Sequence, residues 1–203
     1  MGQDASRVIV VDVEATCWES KEVQGTKPNE IIEIGICEFH VATGNILKQA
    51  SIPVKPQFTE VSPFCTELTG WTQKQLDEDG MDIREAFAYI EENYKPTYLT
   101  VWGSYGNYDY QKLSSYSDKG VRMYNVTGSD NPFDRMRTHI NIKTLAAMRF
   151  RLGREVGLGK MLDRLKLKFE GRPHNGGDDS FNIARVYSFS WLKMNVAFFG
   201  AYL

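Results

Sequence analysis

The feature that most constrains the fold is a run of β-branched residues near the start of the chain that ends in two acids. The sequence RVIVVDVEATCW covers Arg7–Trp18, and its first part, Arg7–Val13, carries four valines and one isoleucine, which is typical of a buried β-strand. Because side chains at positions i and i+2 of a strand share one face, Asp12 and Glu14 point the same way. Burying an unpaired carboxylate costs several kcal/mol, so the fold must compensate both charges.

The length and composition predict one domain of ordinary globular character. The 203 residues suffice for a sizeable core, so we expect a short tail at residues 1–6 and a single domain at 7–203. The net charge of −2 indicates no general affinity for nucleic acid. Three separated cysteines without a CxxC pair predict neither a disulfide scaffold nor a zinc site, and they favour a cytoplasmic location. No secretory signal or membrane-spanning stretch is recognised, so no membrane partner is expected.

The periodicity of apolar residues predicts an α/β fold. The predicted strands are Arg7–Val13, Glu30–His40, Ile46–Val54, Tyr98–Trp102 and Thr138–Asn141. The turn sequence ATGN joins the second and third strands as an antiparallel hairpin. The predicted helices are Pro63–Gly70, Gln73–Glu78, Asp82–Asn93, Asp109–Tyr116, Ile142–Arg151, Leu158–Leu165 and Asp178–Phe198. A hairpin followed by alternating strands and helices favours a mixed sheet flanked by helices, whereas Lys119–Arg137 is polar and irregular.

Two further acids fall where open α/β sheets collect their ligands. Asp109 follows the fourth strand, where a helix N-cap is the simplest alternative role. Asp179 shares a helical stripe with Ile183 and Val186, so it should face the core, whereas Asp178 should be solvated or act as an N-cap.

Four carboxylates cannot lie together without neutralisation. Pairing with Lys or Arg on a neighbouring element is one alternative for Asp12 and Glu14. Oxygen-only ligands suit Mg²⁺ or Mn²⁺, and we expect divalent cations to compensate Asp12, Glu14, Asp109 and Asp179. Two such ions would lie roughly 3.5–4 Å apart and clamp the attacking and leaving oxygens of a phosphodiester.

One histidine is placed to complete such a site. His174 lies five residues before Asp179 in the Gly- and Pro-containing loop EGRPHNGG, Glu170–Gly177. With an ordinary pKa, a histidine can take a proton from water at neutral pH. A titrating surface histidine is the alternative interpretation, and strand roles suffice for His40 and His139.

These residues together resemble the motifs of the DEDDh family of 3′→5′ exonucleases, which have the ribonuclease H-like fold. The D-x-E motif matches Asp12-Val13-Glu14, the second motif matches Asp109, and H-x4-D matches His174 and Asp179. The local sequences VDVEATCW, NEIIEIG, FCTELTG and GRPHNGGDDSFNIARV are similar to the Eri-type, histone mRNA 3′-exonuclease branch. The resemblance runs from about Arg7 to Tyr187. Two departures are a longer second motif, GSYGNYD, and no added SAP-like module; Asn175 disfavours the tyrosine-type branch.

The resemblance implies a five-stranded mixed sheet, with its first three strands antiparallel, and a set of catalytic roles. Asp12, Glu14, Asp109 and Asp179 would hold two Mg²⁺ or Mn²⁺ ions, and His174 would be the general base that releases a 5′-mononucleotide. Phe64 and Tyr108 would flank the terminal base, since stacking tolerates several bases; ordinary aromatic packing is the alternative. The backbone around Val13, Ala15 and Thr16 would meet the terminal sugar.

The charge distribution agrees with a nucleic-acid substrate. Residues 143–172 hold nine basic and three acidic residues, a net charge of +6, whereas the middle of the chain is acidic. A basic flank beside an acidic cleft could follow a strand, although solvated amphipathic helices would give the same pattern.

The leading hypothesis is a metal-dependent 3′→5′ exonuclease acting on single-stranded ends, with RNA expected over DNA. A regulatory or binding module that keeps the fold is the alternative, although it would be expected to have lost an acid or the histidine. An endonuclease is disfavoured by H-x4-D. The sequence leaves open a monomer or a homodimer.

Overall fold

The structure of the protein is a computed structural model that describes residues 6–116 and 130–199. The predicted tail, apart from Ser6, and residues 117–129, which include the first part of the irregular segment, lie outside the described residues.

A five-stranded mixed sheet forms the centre of the fold, as predicted. Its strands are β1 (Arg7–Ala15), β2 (Ile31–His40), β3 (Ile46–Pro53), β4 (Val101–Ser104) and β5 (Thr138–Asn141), in the spatial order β3-β2-β1-β4-β5. β1 pairs antiparallel with β2, and β2 pairs antiparallel with β3. β4 pairs parallel with both β1 and β5.

Helices flank this sheet, mostly where helical periodicity predicts them. They are α1 (Lys21–Gln24), α2 (Pro63–Thr69), α3 (Gln73–Asp79), α4 (Ile83–Tyr94), α5 (Tyr108–Ser114), α6 (Pro132–Arg135), α7 (Ile142–Arg149), α8 (Leu158–Leu165) and α9 (Gly176–Phe199). The four-residue helices α1 and α6 are not predicted, because segments this short show no apolar period. None of the helices among the described residues is long and apolar enough to cross a bilayer.

The fourth strand lies later in the chain than predicted. Tyr98 and Leu99 are exposed and belong to a turn, in which the Thr100 side chain accepts a hydrogen bond from the Thr97 N–H at 2.8 Å. The strand begins at Val101, which pairs with Val8 of β1. Aromatic and aliphatic residues indicated a strand here, but hydroxyl side chains stabilise the turn instead.

The two faces of β1 bury different residues. Ile9, Val11 and Val13 belong to the core that α4 covers, whereas Val8 and Val10 pack with residues of α9. Because side chains alternate along a strand, Asp12 and Glu14 lie on the α9 face. The strand therefore presents both acids to the helix that carries Asp179.

Glycines allow α9 to begin in direct contact with the sheet. A Cβ atom at Gly35 would lie 1.8 Å from the carbonyl carbon of Gly176, so a side chain there would overlap the helix backbone. Gly176 and Gly177 are both buried. For this reason α9 starts at Gly176, two residues before the predicted start.

Candidate active site

Three carboxylates from two elements meet at one end of β1. Asp12 and Glu14 come from β1, and Asp179 comes from the first turn of α9; one oxygen from each lies within 4.8 Å of the others. All three side chains are half-buried. The predicted convergence of these acids is therefore present in the structure.

Asp109 belongs to the same region but lies outside that group of three. It occupies the first turn of α5 and is only 5% exposed. Its Oδ1 accepts a hydrogen bond from the Val13 N–H at 3.2 Å. The position before α5 is taken by Asn107, so the alternative N-cap role for Asp109 is wrong.

The cluster carries more negative charge than its surroundings neutralise. Burial, together with the charges of Asp109, Asp179 and Glu14, raises the pKa of Asp12 well above its usual range. Burial and the charges of Asp179 and Glu33 raise the pKa of Glu14 to about 8. Burial also raises the pKa of Asp109 to about 6 and that of Asp179 to about 6. Neighbouring acids therefore add to the effect of burial on the pKa of Asp12, Glu14 and Asp179, whereas burial raises the pKa of Asp109.

The donor chemistry fits hard divalent cations. Within the described parts of the chain, no Lys, Arg or His forms an ion pair with any of the four acids, which removes the alternative explanation by salt bridges. An all-carboxylate set with raised pKa values suits Mg²⁺ or Mn²⁺, because a cation removes the mutual repulsion that the side chains cannot.

His174 is held beside the acids by its backbone. Its N–H donates a 2.6 Å hydrogen bond to Oδ2 of Asp179, and its φ of 63° lies in the left-handed region. The side chain is exposed. This tight turn fixes the histidine next to a member of the acidic cluster while leaving the imidazole free to reach solvent or substrate.

Phe64 and His174 line the same cavity. Its volume is about 450 Å³, and the other lining residues are Glu67, Leu68, Arg172 and Pro173. Phe64 lies in α2, which begins at the Ser62 N-cap, so a helix places this half-buried ring opposite the histidine loop. The cavity has the volume of a small-molecule site, with apolar and charged side chains in its lining.

Tyr108 is positioned at the start of α5 and is 53% exposed. Its hydroxyl donates a hydrogen bond to Oδ1 of Asn29 at 2.8 Å, and the ammonium of Lys112 lies 5.9 Å from its ring centre. The ring does not line the cavity of Phe64. A stacking role for Tyr108 stays a prediction.

The backbone that was expected to meet a sugar is already engaged in part. The Val13 N–H binds Asp109, and the Thr16 N–H donates to the Glu30 carbonyl at 2.8 Å. The Ala15 carbonyl accepts a hydrogen bond from the Cys65 thiol, with an S···O distance of 3.6 Å. Contact between this stretch and substrate stays a prediction.

The position of Glu33 beside the cluster was not predicted, and the N-cap role given as one alternative for Asp178 is wrong. Glu33 of β2 is fully buried, faces Glu14 across the β1–β2 pair, and adds to the negative charge on the cluster. The signal was a single acid within an otherwise apolar strand, IIEIGI. Asp178 accepts the Arg172 N–H at 2.8 Å, whereas Asn175 caps the helix by accepting the Asp178 N–H at 3.0 Å.

Comparison with known proteins agrees with this geometry. A family model for exonucleases of the RNase T type matches residues 9–187. The chain belongs to this exonuclease family. The resemblance predicted from the ordered acidic and histidine motifs is thereby confirmed.

Among curated relatives of this family member, human 3′-5′ exoribonuclease 1 is 30% identical over 193 residues, which cover 88% of the chain and 50% of the human protein. ERI1 exoribonuclease 2 of Xenopus laevis is 28% identical over 202 residues, covering 89% of the chain and 28% of the relative. The chain thus spans half or less of the length of these two proteins.

Solved structures share the fold over most of the chain. The nuclease domain of 3′hExo, a DEDDh family member bound to rAMP, gives a TM-score of 0.74 at 26% identity, covering 91% of this chain and 90% of that one. A 3′-exonuclease with specific recognition of the histone mRNA stem-loop 3′ end gives 0.67 at 26% identity, covering 91% and 80%. Cell-death related nuclease 4 gives 0.74 at 19% identity, a likeness of fold alone.

Proposed function

We propose that this exonuclease-family protein is a metal-dependent enzyme that removes 5′-mononucleotides from the 3′ end of single-stranded nucleic acid, with RNA as its substrate. The observation that carries the proposal is the approach of Asp12, Glu14 and Asp179 within 4.8 Å on the face of β1 that α9 covers. Family membership alone would fit a protein that has lost turnover, whereas an intact acidic cluster beside a histidine supports catalysis.

In this proposal the four acids form one cation-binding group, in which Asp109 has an additional hydrogen bond to the backbone of β1. Asp12, Glu14 and Asp179 hold the divalent cations, and Asp109 adds its charge while its bond to Val13 keeps it in place. Two Mg²⁺ or Mn²⁺ ions would supply charge neutralisation at the scissile phosphate. A ring nitrogen of His174 takes the proton of the attacking water, and Phe64 supports the terminal base from the other side of the cavity.

The basic flank supports contact with a longer strand. Most of its basic side chains are exposed: Arg151, Arg154, Lys160, Arg164, Lys166, Lys168 and Arg172. They lie around α8 and the two loops beside it, and α8 packs on α9, which carries Asp179. Exposed cations on this flank would bind the phosphates upstream of the reacting end.

The names of the relatives favour RNA. Two are described as exoribonucleases, and the 3′hExo nuclease domain was solved with rAMP. An assay on matched 5′-labelled single-stranded RNA and DNA, with Mg²⁺, Mn²⁺ or EDTA, tests both activity and preference. We expect a ladder of one-nucleotide steps on RNA, slower trimming of DNA, and no products in EDTA.

Other outcomes would each contradict a part of the proposal. Faster trimming of DNA would reverse the preference, and internal cuts would indicate an endonuclease. Binding of RNA without products under every metal condition would favour the regulatory module. A cytoplasmic location and the choice between monomer and homodimer stay predictions that this assay does not address.

A further inference from the structure

Glu33 is a buried carboxylate that lies behind the candidate metal ligands. Its side chain is fully buried, and among the described residues no cation forms an ion pair with it. Its Oε1 accepts hydrogen bonds from the Ser51 hydroxyl at 2.5 Å and from the Gly177 N–H at 3.2 Å. Its Oε2 accepts the indole N–H of Trp71 at 2.8 Å. These three donors offset the cost of burying the charge.

The three donors belong to three separate parts of the fold. Ser51 is in β3, Trp71 lies between α2 and α3, and Gly177 is in the first turn of α9. The first N–H groups of a helix have no partner within the helix, so the carboxylate satisfies one of them and also favours the positive end of the helix dipole. Glu33 therefore ties the start of α9 to the sheet.

The contact leaves α9 little freedom to move. Besides the overlap that a Cβ at Gly35 would cause with Gly176, a Cβ at Gly177 would approach the Cβ of Ser51 to 3.1 Å. The Gly177 carbonyl also accepts the side-chain amide of Gln49 at 2.9 Å. Asp179 follows two residues later, so a displacement of this turn carries that carboxylate away from Asp12 and Glu14.

We propose that Glu33 is a positioning residue that fixes the first turn of α9 and thereby holds Asp179 at the distance from Asp12 and Glu14 that divalent-cation binding requires. The proposal rests on the metal site of the proposed function, but it does not require nuclease turnover. The proposal concerns geometry: the hydrogen-bonded carboxylate of Glu33 on β2 sets the position of Asp179 on α9.

Mn²⁺ binding to the full chain without nucleic acid tests the role directly. In Glu33→Gln the amide cannot accept at both ends, so either Trp71 or Gly177 loses its acceptor. We expect Mn²⁺ affinity, measured by electron paramagnetic resonance, to fall at least tenfold. The matched control is Glu38→Gln, which neutralises another buried acid of β2 whose partner is Arg7, 2.6 Å away, and it should stay within twofold of wild type. Wild-type affinity in Glu33→Gln would overturn the proposal.

Two variants that keep the charge of Glu33 separate position from electrostatics. Ser51→Ala removes one donor, and Gly177→Ala presses a methyl group toward β3. Positioning predicts that each weakens Mn²⁺ binding about threefold or more, whereas wild-type affinity in both would show that only the charge matters. These two variants decide the question even if Glu33→Gln does not fold.

Amide hydrogen exchange in the metal-free protein distinguishes this proposal from the proposed function. Faster exchange at residues 177–180 in Glu33→Gln than in Glu38→Gln would support positioning even if the wild-type protein bound no Mn²⁺. Equal exchange in Glu33→Gln and wild type would refute it, whatever the nuclease assay shows.

Discussion

The carboxylate of Asp109 accepts a hydrogen bond from the backbone N–H of Val13, 3.2 Å away. This hydrogen bond joins residues that are 96 positions apart in the sequence. Its donor, Val13, lies between Asp12 and Glu14. The helix that follows β4 is thus fastened to β1 at the point where the two acids project. The hydrogen bond stabilises the fold, whereas the buried negative charge of Asp109 destabilises it, since burial raises the pKa of Asp109 to about 6.

Asp109→Asn should therefore stabilise the metal-free protein at pH 8. The amide oxygen can still accept the Val13 N–H, while the buried charge is removed. A pKa raised from 3.8 to about 6 corresponds to about 1–3 kcal/mol, so the melting temperature in EDTA should rise by a few degrees. Circular dichroism melts measure it, and a lower melting temperature than wild type would contradict the electrostatic explanation.

The stability of the metal-free protein should fall as pH rises from about 4 to about 8. Folded Asp109 and Asp179 have a pKa of about 6, and folded Glu14 has a pKa of about 8, each above its unfolded value. In that window the folded state holds more protons than the unfolded state, so each rise in pH favours unfolding. Urea unfolding in EDTA at pH 5 and pH 8 measures the difference.

Mn²⁺ should reverse this pH dependence. A cation that binds only the folded cluster stabilises it, and it competes with protons for the same oxygens, so its benefit is larger at pH 8 than at pH 5. For the metal-free protein in EDTA, a higher stability at pH 8 than at pH 5 would contradict the pH dependence predicted in the absence of Mn²⁺.

The sequence predicted the acidic cluster because its evidence is local. Two acids at spacing i, i+2 in an apolar strand fix a shared face, and the helical stripe of Asp179 with Ile183 fixes an inward direction. The ATGN turn predicted the antiparallel hairpin of β2 and β3, and the alternation of later strands and helices predicted a mixed sheet, whereas the five-stranded arrangement was implied by the family resemblance. The inferences from the residues need only the period of a strand or a helix and the composition of one turn.

What the sequence did not reveal depends on side-chain hydrogen bonds, some within a single turn and some between distant residues. The strand predicted at Tyr98 begins instead at Val101, because hydroxyl groups of Thr97 and Thr100 close a turn. The role of Glu33 depends on donors from β3, α9 and the loop after α2, none of which is adjacent in sequence. In the sequence, the only sign of these contacts of Glu33 is an isolated acid in an apolar strand.

Asp179→Asn should abolish turnover and leave the fold intact. In the wild-type protein the His174 N–H lies 2.6 Å from Oδ2 of Asp179, and the amide oxygen of the variant can still accept this hydrogen bond. The substitution removes one of the three clustered charges. We expect a single-turnover rate at least 100-fold below wild type, with an unchanged far-ultraviolet spectrum. Asp163→Asn, an exposed acid on α8, is the control and should retain wild-type activity. Wild-type turnover in Asp179→Asn would remove this residue from the mechanism.

His174→Ala should slow turnover by about 10²–10⁴-fold, the usual contribution of a general base. The loop turn depends on the His174 backbone, and the side chain is exposed, so Mn²⁺ affinity should change little. Single-turnover rates and Mn²⁺ titration on the same sample separate the two effects. A rate within tenfold of wild type would show that another group accepts the proton.

Gly70→Ala should impair the histidine loop through Arg172. The guanidinium donates to the carbonyls of Glu67 and Leu68 at 3.3 Å each, so it joins the end of α2 to the loop that carries His174. Gly70 has a φ of 85°, and a Cβ there would lie 1.7 Å from Nη1 of Arg172. The methyl group must displace the guanidinium, and we expect the turnover rate to fall about tenfold, since misplacing a catalytic group by about 1 Å can cost up to 100-fold.

The control for Gly70→Ala is Gly25→Ala, which isolates the cost of the backbone conformation. Gly25 also has a positive φ, 59°, but a Cβ there would meet nothing within 4 Å. Gly70→Ala should lose about 1–2 kcal/mol of stability, because an L-residue is strained in the left-handed region. Gly25→Ala should lose at least as much, because its ψ of −127° lies outside that region, but only Gly70→Ala should lose activity. Arg172→Met removes the displaced group, so adding Gly70→Ala to it should cost little further activity. If Gly70→Ala slowed turnover as much in the Arg172→Met protein as in wild type, the guanidinium would not be the link between α2 and His174.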